Sequence, residues 1–166
     1  MMRIIIAGSR SATETQVREA IDECGWAGFA TAVVSGTAKG ADSYGESWAM
    51  SKDLKVLRHP ANWEKYGKAA GPVRNREMAQ NAEGLIAVWD GVSPGTASMI
   101  KAAKSKGLRI FVFRTDREKS VRYSAAGALG ELWEAAEERA AMKEFGGGMS
   151  RLEAEKQAAK ELLELR

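Results

Sequence analysis

The 166 residues include a single cysteine, Cys24, a single histidine, His59, and three prolines. One cysteine excludes an internal disulfide and fits a reducing, cytoplasmic setting. With only one histidine beside it, a clustered Cys/His metal centre is excluded as well. A serine or cysteine nucleophile would need a base, and no spacing brings His59 to Ser9, Ser35 or Cys24. His59 reads as a structural residue at a strand end. No apolar run approaches the roughly 18 residues of a membrane helix, so no membrane partner is expected. The apolar start through Ile6 is too short for a secretory leader and reads as a buried strand. Internal repeats and low-complexity tracts are absent too. Nothing calls for a cofactor or a metal.

Charge of one sign does not dominate, with 25 Lys and Arg against 22 Asp and Glu. The distribution is uneven, however. From Glu131 onward there are nine acidic and six basic residues, which leaves about +6 on the preceding part. That bias favours anionic partners such as nucleotides or nucleic acid, although a surplus of surface lysines would look the same.

What is present is an alternation of β-type and helix-type segments. Arg3–Ala7 is a continuous aliphatic run of the kind buried on both faces of a parallel sheet. Thr13–Cys24 carries Val17, Ala20, Ile21 and Cys24 at helical spacing, with Thr13 and Gln16 placed for a capping box. Thr31–Ser35, Lys55–Arg58, Gly84–Trp89 and Leu108–Phe113 read as further strands. Ala41–Met50, a helix with Pro72 in its first turn reaching Asn81, and Thr96–Lys106 read as helices. The order implies right-handed βαβ units. The expected fold is α/β, a three-layer, Rossmann-like, doubly wound parallel sheet of about five strands spanning residues 1–115.

Residues 116–166 read as a C-terminal helical extension. Leu129, Leu132, Trp133, Ala136 and Ala140 make one apolar stripe, and Leu152, Ala159, Leu162 and Leu163 make a second. Gly146–Gly148 separates them. Such helices suit association into a homodimer or higher homo-oligomer, or a lid on the domain itself.

In open parallel sheets ligands bind beyond the carboxyl ends of the strands. Four loops fall there: Gly8-Ser9-Arg10, the stretch from Ser35 through Gly36, Thr37, Lys39 and Gly40 to Asp42, the approach to Arg74 and Asn75, and Asp90 to Thr96 with Ser93 and Gly95. Glycine allows backbone amides to surround an anion, and helix amino termini add partial positive charge. Arg10, Lys39 and Arg74 lie at or near expected helix starts, where a bound anion would offset the unfavourable dipole. Arg74 is the main expected phosphate partner, by its bidentate geometry. Trp63 can stack on a base or pack as an ordinary aromatic. Asp42 is expected to cap its helix. Glu77 and Asp90 are the weak candidates for acid–base work.

Read in order, Ile5–Arg10, Val34–Asp42, Pro60–Trp63, Tyr66–Asn75 with Met78, and Gly95-Thr96 resemble the SLOG superfamily of Rossmann-like nucleotide-binding domains. The match is with its YspA/YpsA-related branch, over roughly residues 3–113. The resemblance implies a nucleotide or nucleotide-derived ligand, sensed or sequestered. Two relatives imply other activities. Arg74–Met78 is similar to a segment of the LOG phosphoribohydrolases, which cleave the N-glycosidic bond of nucleoside 5′-monophosphates. Their catalytic glutamate follows a Gly-Thr pair, whereas Ala97-Ser98-Met99 follows Gly95-Thr96 here. Ser35–Asp42 and Arg74–Arg76 are similar to segments of the DprA family, which implies single-stranded DNA as the alternative partner.

Overall fold

The computed structural model describes residues 1–116 and 120–123. The apolar stripes expected between Leu129 and Leu163 lie outside these residues, as does the glycine hinge. Six strands form one sheet: β1 (Met2–Gly8), β2 (Ala30–Ser35), β3 (Lys55–Arg58), β4 (Gly84–Trp89), β5 (Arg109–Arg114) and β6 (Val121–Tyr123). Their order is β3-β2-β1-β4-β5-β6. The first five are parallel, as the sequence predicts, and β6 pairs antiparallel to β5. A strand at Val121–Tyr123 was not anticipated, because three residues carry no readable period.

Among the described residues there are five α-helices, α1 (Glu14–Cys24), α2 (Ala41–Ser51), α3 (Trp63–Tyr66), α4 (Ala70–Gln80) and α5 (Pro94–Ser105), of which all but α3 cover the sheet. Alternation along the strands sorts the core into two layers. Ile4, Ile6, Val33, Ile86 and Val88 meet Val17, Ile21 and Cys24 of α1 and Ala41 and Ala49 of α2. Ile5, Val34, Leu85, Ala87 and Ile110 meet Met78 and Ala79 of α4 and Met99, Ile100 and Ala103 of α5. Each fully buried large aliphatic contributes about 1.5–3 kcal/mol. Helix α1 starts where Thr13 accepts from the Gln16 amide at 3.3 Å and donates its own amide to Gln16 Oε1 at 3.0 Å. It stops at Gly25, in the left-handed region at φ 76°.

Strands β1 and β4 are neighbours whose crossovers leave in opposite directions. The loops after them therefore diverge and open a crevice at the carboxyl edge. Among the described residues no helix is long and apolar enough to cross a membrane.

Candidate functional site

A cleft of about 690 Å³ occupies that crevice. One wall is the turn after β1, Gly8 to Ser11, and the opposite wall is Ser93 to Thr96 at the start of α5. Trp63, Lys68 and residues of α4, including Arg74 and Asn75, close the third side. Gly8 makes this geometry possible, since a Cβ there would lie 2.1 Å from the Val88 carbonyl oxygen. With no side chain in the way, the Ser9 amide donates to that oxygen at 2.9 Å. Ser9 Oγ in turn accepts from the Asp90 amide at 3.2 Å, tying the two facing loops together.

The amino end of α5 faces the cleft. Ser93 is the N-cap, yet its hydroxyl donates to Asp90 Oδ2 at 2.6 Å and does not cap the helix. Pro94 has no N–H, and the Ala97 amide already bonds the Ser93 carbonyl at 3.1 Å. Among the described residues this leaves the Gly95 and Thr96 amides as the helix's orphan donors. A Cβ on Gly95 would meet nothing within 4 Å, so a ligand has room to approach there.

Arg74 lines the cleft and is half-buried. Its Nη1 donates to the Gly36 carbonyl and its Nε to Asn75 Oδ1 at 3.1 Å. Nη2 has no hydrogen-bond partner among the described residues. Helix α4 begins at Ala70, two residues before Pro72, so Arg74 lies more than a turn inside it and not at the start the sequence suggested. Asn75 is buried, and its Nδ2 donates to the Gly95 carbonyl at 3.3 Å and to Ser98 Oγ at 3.2 Å. Its side chain is consumed in positioning. Arg10 is exposed on the cleft wall, and Trp63, 59% exposed, stands at the rim.

The second loop behaves differently. Of residues 35–40 only Ala38 lines the cleft. The Gly36 amide donates to Asp42 Oδ2 at 3.0 Å and the Thr37 amide to Ser35 Oγ at 3.0 Å, so neither is free to cradle an anion. Ser35 donates to Glu46 Oε1 at 2.7 Å, and Glu46 is paired with Arg58. Lys39 is exposed and does not line the cleft. Gly40, at φ 80°, packs against the Ser9 and Arg10 carbonyls, where a Cβ would come within 2.7 Å of each. Thr37 holds φ 60°, an unusual state for a β-branched residue.

A family model described as the YspA, cpYpsA-related SLOG family matches residues 2–66. The Gene 61 protein of Mycobacterium phage D29 is 34% identical over 121 residues, covering 68% of this chain and 97% of that protein. The chain belongs to the YspA, cpYpsA-related SLOG family. Among solved structures it resembles DNA processing protein A (DprA) from Streptococcus pneumoniae, with a TM-score of 0.52 and 18% identity. That match covers 67% of the chain and 49% of the DprA chain, so the chain spans about half the length of this neighbour. The likeness shows a shared fold. SLOG membership points to a nucleotide-related binding module.

Within this SLOG domain Asp42 is the cleft-lining residue that sequence reading undervalued. It does not cap α2, whose N-cap is Gly40. Its carboxylate is 4% exposed, lines the cleft, and reaches back to the Gly36 amide and, at 3.4 Å, to the Ala38 amide. Burial pushes the Asp42 carboxyl up to about 6, against the opposing pull of Arg74 and of the Ala38, Gly36 and Gly8 amides. The spacing of Gly36 and Asp42 was a signal, because a buried acid six residues after a strand-end glycine can satisfy that turn's amides. Lys68, exposed, lines the cleft as well.

The two acid–base candidates lie elsewhere. Glu77 is exposed and does not line the cleft. Asp90 accepts from the Val92 and Ser93 amides at 3.0 and 2.7 Å and from the Ser93 hydroxyl. Those bonds hold its carboxyl down to about 2, far from the range of a general base at neutral pH. Among the described residues Asp42 is the one carboxylate lining the cleft, and it is already committed.

Proposed function

We propose that the domain binds a nucleotide or nucleotide-derived ligand in this cleft, as a sensor or sequestering module. A phosphate would sit at the Gly95 and Thr96 amides, flanked by Arg10 and Arg74, while Trp63 offers a face to the base. The observation that carries the reading is the pair of orphan amides opening into a cleft walled by two arginines. The absence of an uncommitted carboxylate among the described lining residues favours binding over N-glycosidic cleavage. Thermal-shift measurement across nucleotides tests it through linkage, since a ligand at 100 times its Kd stabilises by about 2.7 kcal/mol. Arg10→Ala removes an exposed side chain and should abolish the shift while leaving the unliganded Tm unchanged. No shift with any phosphate compound at millimolar concentration would overturn the reading.

A second reading is favoured by Trp63 and Lys68 on the rim and by a fold neighbour named for DNA processing. Single-stranded DNA would run along the rim, stacked on Trp63. Its mark would be an affinity that falls steeply with salt. The same logic extends to a cytoplasmic homo-oligomer, in which the segment after Tyr123 would supply the contact. Sedimentation of the full chain against one ending near Thr115 tests that part.

A further inference from the structure

The same cleft contains a charge that an anion site should avoid. Asp42 lines it, buried, beside the arginine expected to pair with phosphate. A Cβ built on Gly36 would lie 2.6 Å from Arg74 Nη1 and 2.8 Å from Asp42 Oδ2, so both groups crowd one point. Neither can readily withdraw. Asp42 is fixed on α2 and held by the Gly36 and Ala38 amides. Arg74 is held through two of its nitrogens, by the Gly36 carbonyl and by Asn75. An anion reaching Arg74 therefore shares it with a carboxylate.

Such a site has two responses: bind weakly, or neutralise the acid. Burial has already brought the Asp42 carboxyl up to about 6, so the second is the cheaper near neutral pH. We propose that Asp42 is the resident counter-charge of the anion site, and that a ligand taking Arg74 drives a solvent proton onto Asp42. Binding is then accompanied by proton uptake. This rests on the phosphate-binding reading above.

The surroundings make Asp42 the group that responds. Arg74 faces it from α4, and Arg10 stands beyond Gly8 in the first loop. Lys39 is exposed, and Lys68 lies among the other cleft-lining residues. Glu46, one turn along α2, is engaged by Ser35 and by Arg58 of β3. Glu14 and Arg18 of α1 pair with each other. On the β3 side His59 donates its amide to the Ser35 carbonyl at 2.8 Å. His59, the chain's single histidine, is the necessary control.

The sign follows from linkage. An anion raises the acid's pKa further, so affinity is level below about pH 6, falls with rising pH between the free and bound values, and levels again above them. A one-unit rise on binding gives a factor of about ten.

The test is calorimetric titration of the full chain with inorganic sulfate and with ADP-ribose. Neither changes charge between pH 5.5 and 8, whereas a terminal phosphomonoester does. At pH 7, two buffers of different ionisation enthalpy should report uptake of a substantial fraction of one proton. Wild-type affinity should drop about fivefold from pH 6 to pH 8. Asp42→Asn should show neither effect, and His59→Gln should keep both. Binding without proton uptake, or an unchanged slope in Asp42→Asn, overturns the proposal and leaves the phosphate reading standing. Should Asp42→Asn fail to fold, the two-buffer measurement on the wild type decides alone. No binding of either probe at any pH overturns both readings.

Discussion

Asn75 Nδ2 lies 3.3 Å from the Gly95 carbonyl oxygen, which latches α4 to the first turn of α5. Through Oδ1 the same amide orients Arg74 at 3.1 Å. One buried side chain thus sets the distance between the arginine and the orphan amides. Replacing it with alanine leaves the Gly95 carbonyl, Ser98 and Arg74 Nε short of partners. Asn75→Ala should cost about 1–3 kcal/mol of stability by chemical denaturation. Ligand affinity should fall further than Tm alone would suggest, because Arg74 loses its orientation.

Two glycines should respond in opposite ways. At Gly36 a Cβ would meet the Arg74 guanidinium at 2.6 Å and Asp42 Oδ2 at 2.8 Å, side-chain ends that a methyl group displaces only by breaking their hydrogen bonds. Gly36→Ala should fold with a modest loss, about 1–3 kcal/mol, and lose ligand binding as Arg74 is displaced. At Gly8 the obstacle is the Val88 carbonyl, 2.1 Å away and part of the sheet backbone. Gly8→Ala should separate β1 from β4 and be recovered largely unfolded, as circular dichroism would show.

Asp90 predicts an acid limb. Its carboxyl is held down to about 2, below an ordinary value of 3.8, chiefly by the Ser93 hydroxyl and amide. A lowered acid contributes stability that is complete above the unfolded value and is lost as pH falls through the folded one. Urea midpoints measured from pH 5 to pH 2 should therefore decline between about 4 and 2 in the wild type. The decline should be shallower in Asp90→Asn.

Much of this was legible before any coordinates. The run Ile4–Ile6 announced a strand buried on both faces, and Thr13 with Gln16 announced the start of α1, because both signals are local. That loops gather at the carboxyl edge followed from the βαβ order, whereas the adjacency of β1 and β4 is visible only in the sheet order. What stayed hidden depends on three-dimensional neighbours. The amides of Gly36 and Thr37 looked available, but Asp42 and Ser35 occupy them, and their partners become visible only once α2 is docked. Arg74 was placed at a helix start because Pro72 marks a first turn, and α4 starts two residues earlier. Strand β6 was missed because its pairing with β5 is what makes it a strand.

Gly45 shows where the cleft's chemistry is tuned from a distance. Its missing methyl group lets α2 settle on β1, since a Cβ there would sit 2.8 Å from both Cβ and Cγ2 of Ile6. Asp42 is three positions earlier on that helix, so its depth below the surface is inherited from how closely two backbones meet in the oily interior. Any side chain at position 45 would lift the helix and carry the acid outward with it. Homologous proteins could in this way acquire different acidity responses while every ligand-facing residue stayed the same.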